Sequence, residues 1–162
     1  MVLVRAVTPD EWQVLRDIRL TALSDTPSAF GSTYAEEAVR PEQHWRDRAA
    51  RGSNFLAYLP EVSTAEPVGL AGGYLETPGI AELVSMWVSP QARGRNVGEA
   101  LIARVAEWAN AQAGVTVLHL WVTEANKPAR RLYERCGFTS TGERQPLPSD
   151  PSLDEVAMSR RL

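Results

Sequence analysis

Apolar and polar residues recur with two different periods along the chain, and these periods separate predicted helices from predicted strands. Val97, Leu101, Val105 and Trp108 recur every three or four residues, which predicts an amphipathic helix from Val97 onward. Shorter runs with alternating or continuous apolar character predict strands. The predicted strands cover residues 2–7, 54–59, 67–75, 81–88, 115–122, 138–143 and 155–160.

Helix start and stop signals complete the predicted order of elements. Thr8 is followed by Pro9 and, three residues on, by Glu11, a spacing that predicts a capped helix start. A short helix is predicted over residues 128–136, where Gly137 ends it. The proline-rich stretch 145–152 is predicted to be a loop between the last two strands.

These elements predict one α/β (α+β) domain over residues 1–162. An antiparallel meander followed by strand–helix–strand–helix steps favours a mixed, mostly antiparallel central sheet of six to seven strands, with helices on both faces.

Composition narrows the classes of function. An apolar content of 44% and a charged content of 23% are those of an ordinary globular domain. The net charge of −3 argues against a nucleic-acid partner. The lone Cys136 cannot form an internal disulfide, and no stretch approaches the ~18 apolar residues of a membrane span. We therefore expect a cytoplasmic protein with neither a nucleic-acid nor a membrane partner.

The sequence RGRNVG, residues 93–98, precedes the predicted helix that starts at Val97. The first N–H groups of a helix have no intrahelical partners, and the helix dipole adds positive charge there. Gly94 and Gly98 would let the backbone approach a ligand, and Arg93 and Arg95 add charge, so the segment suits a phosphate or pyrophosphate. A strand-to-helix turn that needs glycine only for its geometry explains the pattern equally well. By contrast, GLAGGYLE, residues 69–76, lies within a predicted strand and indicates a bulge or close packing.

A second polar segment follows the strand predicted over 115–122. Asn126, Ala129 and Tyr133 are spaced i, i+3 and i+7, which places them on one helix face, while Leu132 and Cys136 are expected to face the core. An amide, a small residue and a phenol in a row suit an extended ligand. A helix cap at Asn126 and simple packing at Tyr133 form the alternative interpretation.

Together these segments resemble the GNAT superfamily of acyl-CoA-dependent N-acyltransferases. ELVSMWVSPQARGRNVGEALI resembles the strand, pyrophosphate loop and helix of that superfamily, and NKPARRLYERCGF resembles its second motif. Asn96 stands where the first loop glycine is expected, and asparagine tolerates a left-handed backbone, so we expect the loop to keep its shape. The resemblance implies a GNAT-like fold, acetyl-CoA as cosubstrate and no metal. It also implies a set of coenzyme-binding residues: Met86, Trp87, Val88, Arg93, Gly94, Arg95, Asn96, Val97, Gly98, Glu99, Asn126, Ala129 and Tyr133.

Acetyl transfer to an amine requires a base, because a lysine-like amine with a pKa of about 10.4 is almost entirely protonated at neutral pH. AELVSMWVS resembles the corresponding strand of the histone-acetylating branch, which implies that Glu82 is the catalytic base. His119, Glu124 or an ordered water are the alternatives. The resemblance also implies an oxyanion-stabilising N–H near Val88, and Tyr133 as the catalytic acid.

The acceptor site is expected to form from residues 18–37 and the loop 145–152, with Phe30, Tyr34 and Glu82 as substrate-binding residues. Acidic Glu36 and Glu37 would attract a cationic amine, although a solvated helix face explains them equally well. The predicted function is N-acetylation of a primary amine of a small molecule or peptide by direct attack in a ternary complex. A non-catalytic acetyl-CoA-binding sensor and a protein N-terminal acetyltransferase are the alternatives, and a homodimer is left open.

Overall fold

A computed structural model describes residues 1–162, which form one seven-stranded sheet with helices on both faces. The strands are β1 (Leu3–Ala6), β2 (Asn54–Tyr58), β3 (Gly69–Thr77), β4 (Ile80–Val88), β5 (Val117–Thr123), β6 (Thr139–Leu147) and β7 (Asp150–Arg161). The helices are α1 (Trp12–Asp25), α2 (Tyr34–Ala38), α3 (Glu42–Ala50), α4 (Val97–Asn110) and α5 (Lys127–Arg135), with short 3-10 turns at Pro9–Glu11, Pro27–Ala29 and Pro90–Ala92.

The strand order is β1-β2-β3-β4-β5-β7-β6, and every neighbouring pair is antiparallel except β4 and β5. A parallel pair needs a crossover, and α4 supplies it. The predicted mixed, mostly antiparallel sheet is therefore confirmed. None of the helices has both the length and the apolar character needed to cross a membrane.

A separate apolar core covers each face of the sheet. The larger core joins the strands to α4 and α5 through residues such as Leu101, Val105 and Phe138. The smaller core joins the opposite face to α1 through residues such as Leu15 and Leu23, and to α3 through Ala49. The predicted placement of helices on both faces is confirmed.

The glycines of β3 permit close packing of α4, as the sequence indicated. A Cβ on Gly73 would lie 2.4 Å from the Trp108 ring, and one on Gly69 would lie 2.9 Å from Leu101. Since real Cβ atoms do not approach so closely, a larger residue at Gly73 would force the Trp108 ring or α4 itself to shift.

A β-bulge interrupts β4 in its second half. Ser85 and Met86 together stand opposite a single residue, Ala71 of β3, and Ser85 has a positive φ of 61°. The extra residue reverses the side-chain alternation, because Leu83 and Met86 both pack on the α4 side. Ser85 consequently faces the α1–α3 side of the sheet.

The parallel strands β4 and β5 separate soon after they begin. Their pairing ends at Glu82 and His119, although β4 continues to Val88 and β5 to Thr123. Beyond this point a gap opens between the two strands, and one backbone edge of β4 lies along it.

The prediction of a loop at residues 145–152 is wrong for most of that stretch. β6 extends to Leu147 and β7 begins at Asp150, so only Pro148 and Ser149 connect them. Pro146 is accommodated because β6 is the edge strand of the sheet, where a residue without an N–H breaks no ladder on the open side.

Candidate active site

A cleft of about 480 Å³ opens on the α1–α3 side of the sheet, next to the start of the gap between β4 and β5. Its floor comes from the central strands and carries Glu82, Val84, Ser85, Trp121 and Glu155. Its wall comes from the segment around Phe30 and from the end of α3, and Pro148 of the β6–β7 turn closes one side. The two chain regions expected to form the acceptor site are thus brought together.

Glu82 is the central carboxylate of this cleft. It is only 5% exposed, and its Oε1 and Oε2 lie 2.8 and 2.9 Å from Nδ1 of His119. Burial raises the pKa of Glu82, and the hydrogen bond and charge of His119 oppose that rise. A carboxylate held in this way is a stronger base than an exposed one and remains reachable from the cleft.

Tyr74 of β3 stands directly opposite Glu82 on the neighbouring strand. Burial, together with the negative charges of Glu76 and Glu82, raises the pKa of Tyr74 to about 12. Its phenol therefore stays protonated at neutral pH and is a neutral neighbour of the Glu82 carboxylate.

The N-terminus of α4 offers a row of unpartnered backbone donors. The first intrahelical hydrogen bond is donated by Ala100 to Asn96, so the N–H groups of Val97, Gly98 and Glu99 have no acceptor in the protein. The Asn96 side chain does not cap the helix either. Asn96 adopts the left-handed conformation with φ 64°, as expected of an asparagine at this position.

Two arginines flank these donors, and salt bridges orient both. Arg93 donates to the carbonyl of Val88 at 3.0 Å and to Asp25 at 2.9 Å, and Arg95 lies 3.7 Å from Glu61. Gly94 between them has φ 76° and open space where a Cβ would be, which fits a backbone that faces a ligand. Glu99 pairs with Arg135 at 3.1 Å.

Gly98 serves a different purpose from the one the sequence suggested. A Cβ at this position would lie 2.8 Å from Leu132 of α5, so the missing side chain makes room for α5 and not for a ligand. The N–H of Gly98 still belongs to the row of donors, whereas its absent side chain is a requirement of packing.

The residues at the end of β4 present their backbone to the gap. Ser89 donates its N–H to Val68, at 2.8 Å, so the N–H of Val88 points to the other edge of the strand. The side chains of Met86 and Val88 pack on the α4 side, while the Trp87 indole donates to Asp25 at 3.1 Å on the opposite side. An extended ligand arm entering the gap would meet backbone N–H and C=O groups.

Asn126 and Ala129 lie at the start of α5, beside the gap. The Asn126 side chain caps this helix by accepting a hydrogen bond from the Ala129 N–H at 3.3 Å. Asn126 thus performs the capping role that was the alternative interpretation, and Ala129 packs at the edge of the larger core.

Tyr133 is more deeply buried than its predicted face implied. It is 6% exposed and stacks edge-on against Phe138, whereas Leu132 and Cys136 are only half-buried at the edge of the core. Burial raises the pKa of Tyr133. Its hydroxyl forms no hydrogen bond in the protein. Every fully buried side-chain oxygen or nitrogen of the protein has a hydrogen-bond partner, so the Tyr133 hydroxyl must belong to the small exposed part of the residue.

Of the residues of segment 18–37 that were predicted for the acceptor site, some line the cleft and others lie outside it. Phe30 lines the cleft, with the Arg19 guanidinium 4.9 Å from its ring centroid. Tyr34 is 50% exposed and lies outside the cleft. Glu36 is exposed and accepts a hydrogen bond from Ser32.

Glu37 is not a surface attractant for a cationic amine. It is 2% exposed and pairs with Arg19 at 2.8 Å and with Arg48 at 3.4 Å. Both arginines also donate to Ser85 at the β4 bulge, at 3.3 and 3.2 Å. The expectation that this carboxylate faces the acceptor is therefore wrong, because two guanidinium groups neutralise it.

Sequence reasoning missed several features of the cleft. Glu155 lines it, is 7% exposed and accepts a hydrogen bond from Gln145 at 2.6 Å. The sequence indicates His119 only as an isolated alternative base, whereas in the structure it pairs with Glu82, 37 positions away. Glu124, the other alternative base, pairs with Arg144 outside the cleft.

Comparisons with known proteins show which family and which solved structures the chain is similar to. Residues 14–138 match the model of the Acetyltransferase (GNAT) family. The chain is 33% identical over 142 residues to a mycothiol acetyltransferase of Mycobacterium avium (strain 104), an alignment that covers 81% of the chain and 43% of the relative. The chain thus spans less than half the length of this curated relative.

Among solved structures, a GNAT-family acetyltransferase from Streptococcus pneumoniae superposes with a TM-score of 0.78 at 18% identity, covering 100% of both chains. A ribosomal-protein-alanine N-acetyltransferase from Brucella melitensis gives a TM-score of 0.77 at 24% identity, covering 99% of both chains. Because both identities are below 25%, these two structural similarities establish the fold alone.

Proposed function

The chain belongs to the GNAT family of acetyltransferases, whose members use acetyl-CoA, and we propose that it acetylates a primary amine of a small molecule or peptide. The reaction is a direct attack within a ternary complex. The observation that carries the proposal is the buried Glu82 carboxylate, which lies in an open cleft beside the gap between β4 and β5.

The chain's own groups fit the coenzyme. The unpartnered N–H groups of Val97, Gly98 and Glu99, with Arg93 and Arg95 beside them, suit a pyrophosphate. The free edge of β4 suits an amide-rich arm that pairs as an additional strand. When bound, acetyl-CoA supplies an activated acetyl thioester.

Glu82 acts as the general base in this proposal. It takes a proton from the acceptor ammonium, so that the nitrogen lone pair is free to attack the acetyl carbon. Burial brings the pKa of Glu82 nearer to neutrality, where general bases are most effective, and His119 holds the carboxylate in place.

Two further groups act on the acetyl carbonyl and the leaving thiol. The Val88 N–H, directed to the gap, donates a hydrogen bond to the carbonyl oxygen as negative charge develops on it. As the N–C bond forms and the C–S bond breaks, the Tyr133 hydroxyl donates a proton to the sulfur. The second proton that the attacking nitrogen loses returns to the Tyr133 phenolate through water, and Glu82 releases the first proton to solvent. Its raised pKa keeps the phenol protonated and available at neutral pH.

The likeness to mycothiol acetyltransferases supports a small-molecule acceptor over a protein N-terminus. Because the chain spans 43% of that relative, its acceptor is proposed by class and not by name. The presence of Glu82, His119 and the accessible Tyr133 hydroxyl favours an enzyme over a sensor that only binds acetyl-CoA.

The proposal is tested by incubating the protein with acetyl-CoA and a panel of primary amines while following release of free thiol, with acetyl-CoA affinity measured separately by calorimetry. Amine-dependent thiol release supports acetyl transfer. Tight coenzyme binding without thiol release from any amine would identify a sensor, and absence of binding would contradict both functions.

A further inference from the structure

A stripe of basic side chains lies along the wall of the cleft. Arg40, His44, Arg48 and Arg51 are spaced i, i+4, i+8 and i+11, and all four line the cleft from α3 and its two ends. The i, i+4 spacing places His44 and Arg48 on one face of α3, and Arg40 and Arg51 line the same cleft from just outside its two ends. We call these four residues the basic stripe.

Two arginines of the basic stripe have no acidic partner. Neither Arg40 nor Arg51 forms an ion pair with a carboxylate, and the one side-chain contact of Arg40 is with Nε2 of His44 at 3.4 Å. By contrast, Arg46 on another face of α3 pairs with Glu42 at 2.7 Å. Arg40 and Arg51 therefore line the cleft with guanidinium groups that no carboxylate of the protein occupies, and both are free to bind an anion there.

Positive charge exceeds negative charge within the cleft. Four arginines and two glutamates line it, and buried Glu37 adds one more negative charge beside Arg19 and Arg48, which leaves an excess of one positive charge. The pKa values of two residues of the basic stripe are lowered in these surroundings. Burial and the charges of Arg40, Arg48 and Arg51 lower the pKa of His44, and burial together with Arg19 lowers the pKa of Arg48 to about 10.

The charges are also separated along the cleft. Glu82 lies on the floor, and Ser85, which accepts a hydrogen bond from Arg48, follows three residues later on the same strand. The base and the Arg48 part of the basic stripe therefore reach different residues of β4, Glu82 and Ser85, and one small molecule in the cleft can face both.

We infer that the acceptor amine carries an anionic group, a carboxylate or a phosphate, which binds the basic stripe while the amine lies at Glu82. This inference rests on the proposed acetyl transfer and names its substrate class. Guanidinium groups bind carboxylates and phosphates through paired, charge-assisted hydrogen bonds, and the two unpartnered arginines supply such donors.

The first test uses matched acceptors. ω-Amino carboxylates of increasing chain length are compared with their amides, and ω-aminoalkyl phosphates with the corresponding amino alcohols. The anionic member of a pair should have a kcat/KM about 10-fold to 100-fold higher, as expected for loss of charge-assisted hydrogen bonds. The better anionic series identifies a carboxylate or a phosphate, and equal rates within the pairs would overturn the inference.

Variants connect this preference to the basic stripe. The double substitution Arg40→Gln and Arg51→Gln should abolish the preference for anionic acceptors, because it removes both unpartnered guanidinium groups. Arg46→Gln makes the same chemical change on the same helix outside the cleft, and it should leave the preference unchanged. An unaltered preference in the double variant would contradict the assigned site.

A second measurement does not depend on turnover. Inorganic phosphate and acetate are titrated by calorimetry into protein saturated with CoA, so that the coenzyme site is already filled. Binding to the wild type and to Arg46→Gln, but not to the double variant, supports the inference, and no binding to the wild type overturns it. Failure of acetyl transfer would appear separately, as absence of thiol release with every amine.

Discussion

The side chains of Glu82 and His119 meet at the last point where β4 and β5 are still paired. His119 Nδ1 lies 2.8 Å from one carboxylate oxygen, and the two residues are direct register partners on parallel strands. Immediately beyond them the gap opens. The contact therefore fixes the candidate base at the junction of the acceptor cleft and the gap that suits the coenzyme.

Substitution of Glu82 by glutamine should lower kcat by about 10²-fold to 10⁴-fold, the usual contribution of general base catalysis. Acetyl-CoA affinity should remain near normal, because Glu82 lies on the cleft side of the sheet. Raising the pH should partly restore the rate by supplying more neutral amine. Steady-state kinetics over a pH series measures this. Glu124→Gln, the same change outside the cleft, is the matched control. Equal rates in both variants would show that Glu82 is not the base.

Removal of His119 should shift the pH profile of the enzyme. Burial raises the pKa of Glu82 and His119 opposes that rise, so His119→Ala should raise the pKa further. A base is active when deprotonated, so the acidic limb of kcat/KM should move to higher pH. His119→Gln, which retains an amide donor, should shift the limb less. A uniform loss of rate without any shift would assign His119 a purely structural role.

Much of the fold was predictable because local sequence patterns determine it. The periodicity of apolar residues located the strands and α4, and the glycines of residues 69–76 indicated close packing. The left-handed conformation of Asn96 followed from its place in the loop. Each of these patterns is carried by residues that are near one another in sequence, even where the packing partner, as for Gly73 and Trp108, is distant.

The features that sequence reasoning missed depend on distant residues or on position in the sheet. The bulge at Ser85 changes which side chains of β4 reach the cleft. Ser85 has a positive φ, a conformation that usually indicates glycine, so the sequence gives no sign of the bulge. The neutralisation of Glu37 by Arg19 and Arg48 requires α1, α2 and α3 to be assembled. Pro146 is tolerated only because β6 became the edge strand.

Glu37 should make stability depend on pH. Burial alone would raise its pKa, but the hydrogen bond and charge of Arg19, with Arg48, lower it to about 2. A lowered carboxyl pKa contributes stability that is present above the unfolded value of about 4.3 and is lost as the pH falls toward 2. Urea unfolding across this window should show the loss in the wild type.

The variant Glu37→Gln should lack that pH dependence and should be less stable at neutral pH by about 3–5 kcal/mol, because it leaves two guanidinium groups without a buried partner. Glu42→Gln, which breaks the exposed pair with Arg46, should change the free energy of unfolding by only about 0.3–0.5 kcal/mol. Similar losses in the two variants would contradict the role assigned to the buried cluster.

A charged substitution at Asn96 should have opposite effects on the stability of the fold and on coenzyme binding, and it therefore tests the loop before α4. Asn96→Asp keeps a residue that tolerates the left-handed backbone, and its charge at the N-terminus of α4 should stabilise the fold by about 0.3–1 kcal/mol. The same charge should repel a pyrophosphate and weaken acetyl-CoA binding. Asn96→Gly should retain the binding. Calorimetry and thermal melting measure the two quantities, and undiminished affinity in the Asp variant would exclude an anion at this loop.

Tyr133→Phe removes only a hydroxyl that forms no hydrogen bond within the protein. The ring should keep its contact with Phe138, so the free energy of unfolding should change by roughly 1 kcal/mol or less. The rate of acetyl transfer should fall, because the departing thiolate loses its proton donor. The loss should be incomplete, since a thiol with a pKa of about 8.5 is a tolerable leaving group without help. Single-turnover kinetics at saturating acetyl-CoA isolates this step. A chemical step as fast as that of the parent protein would show that Tyr133 only packs against the core, and water would then be the acid.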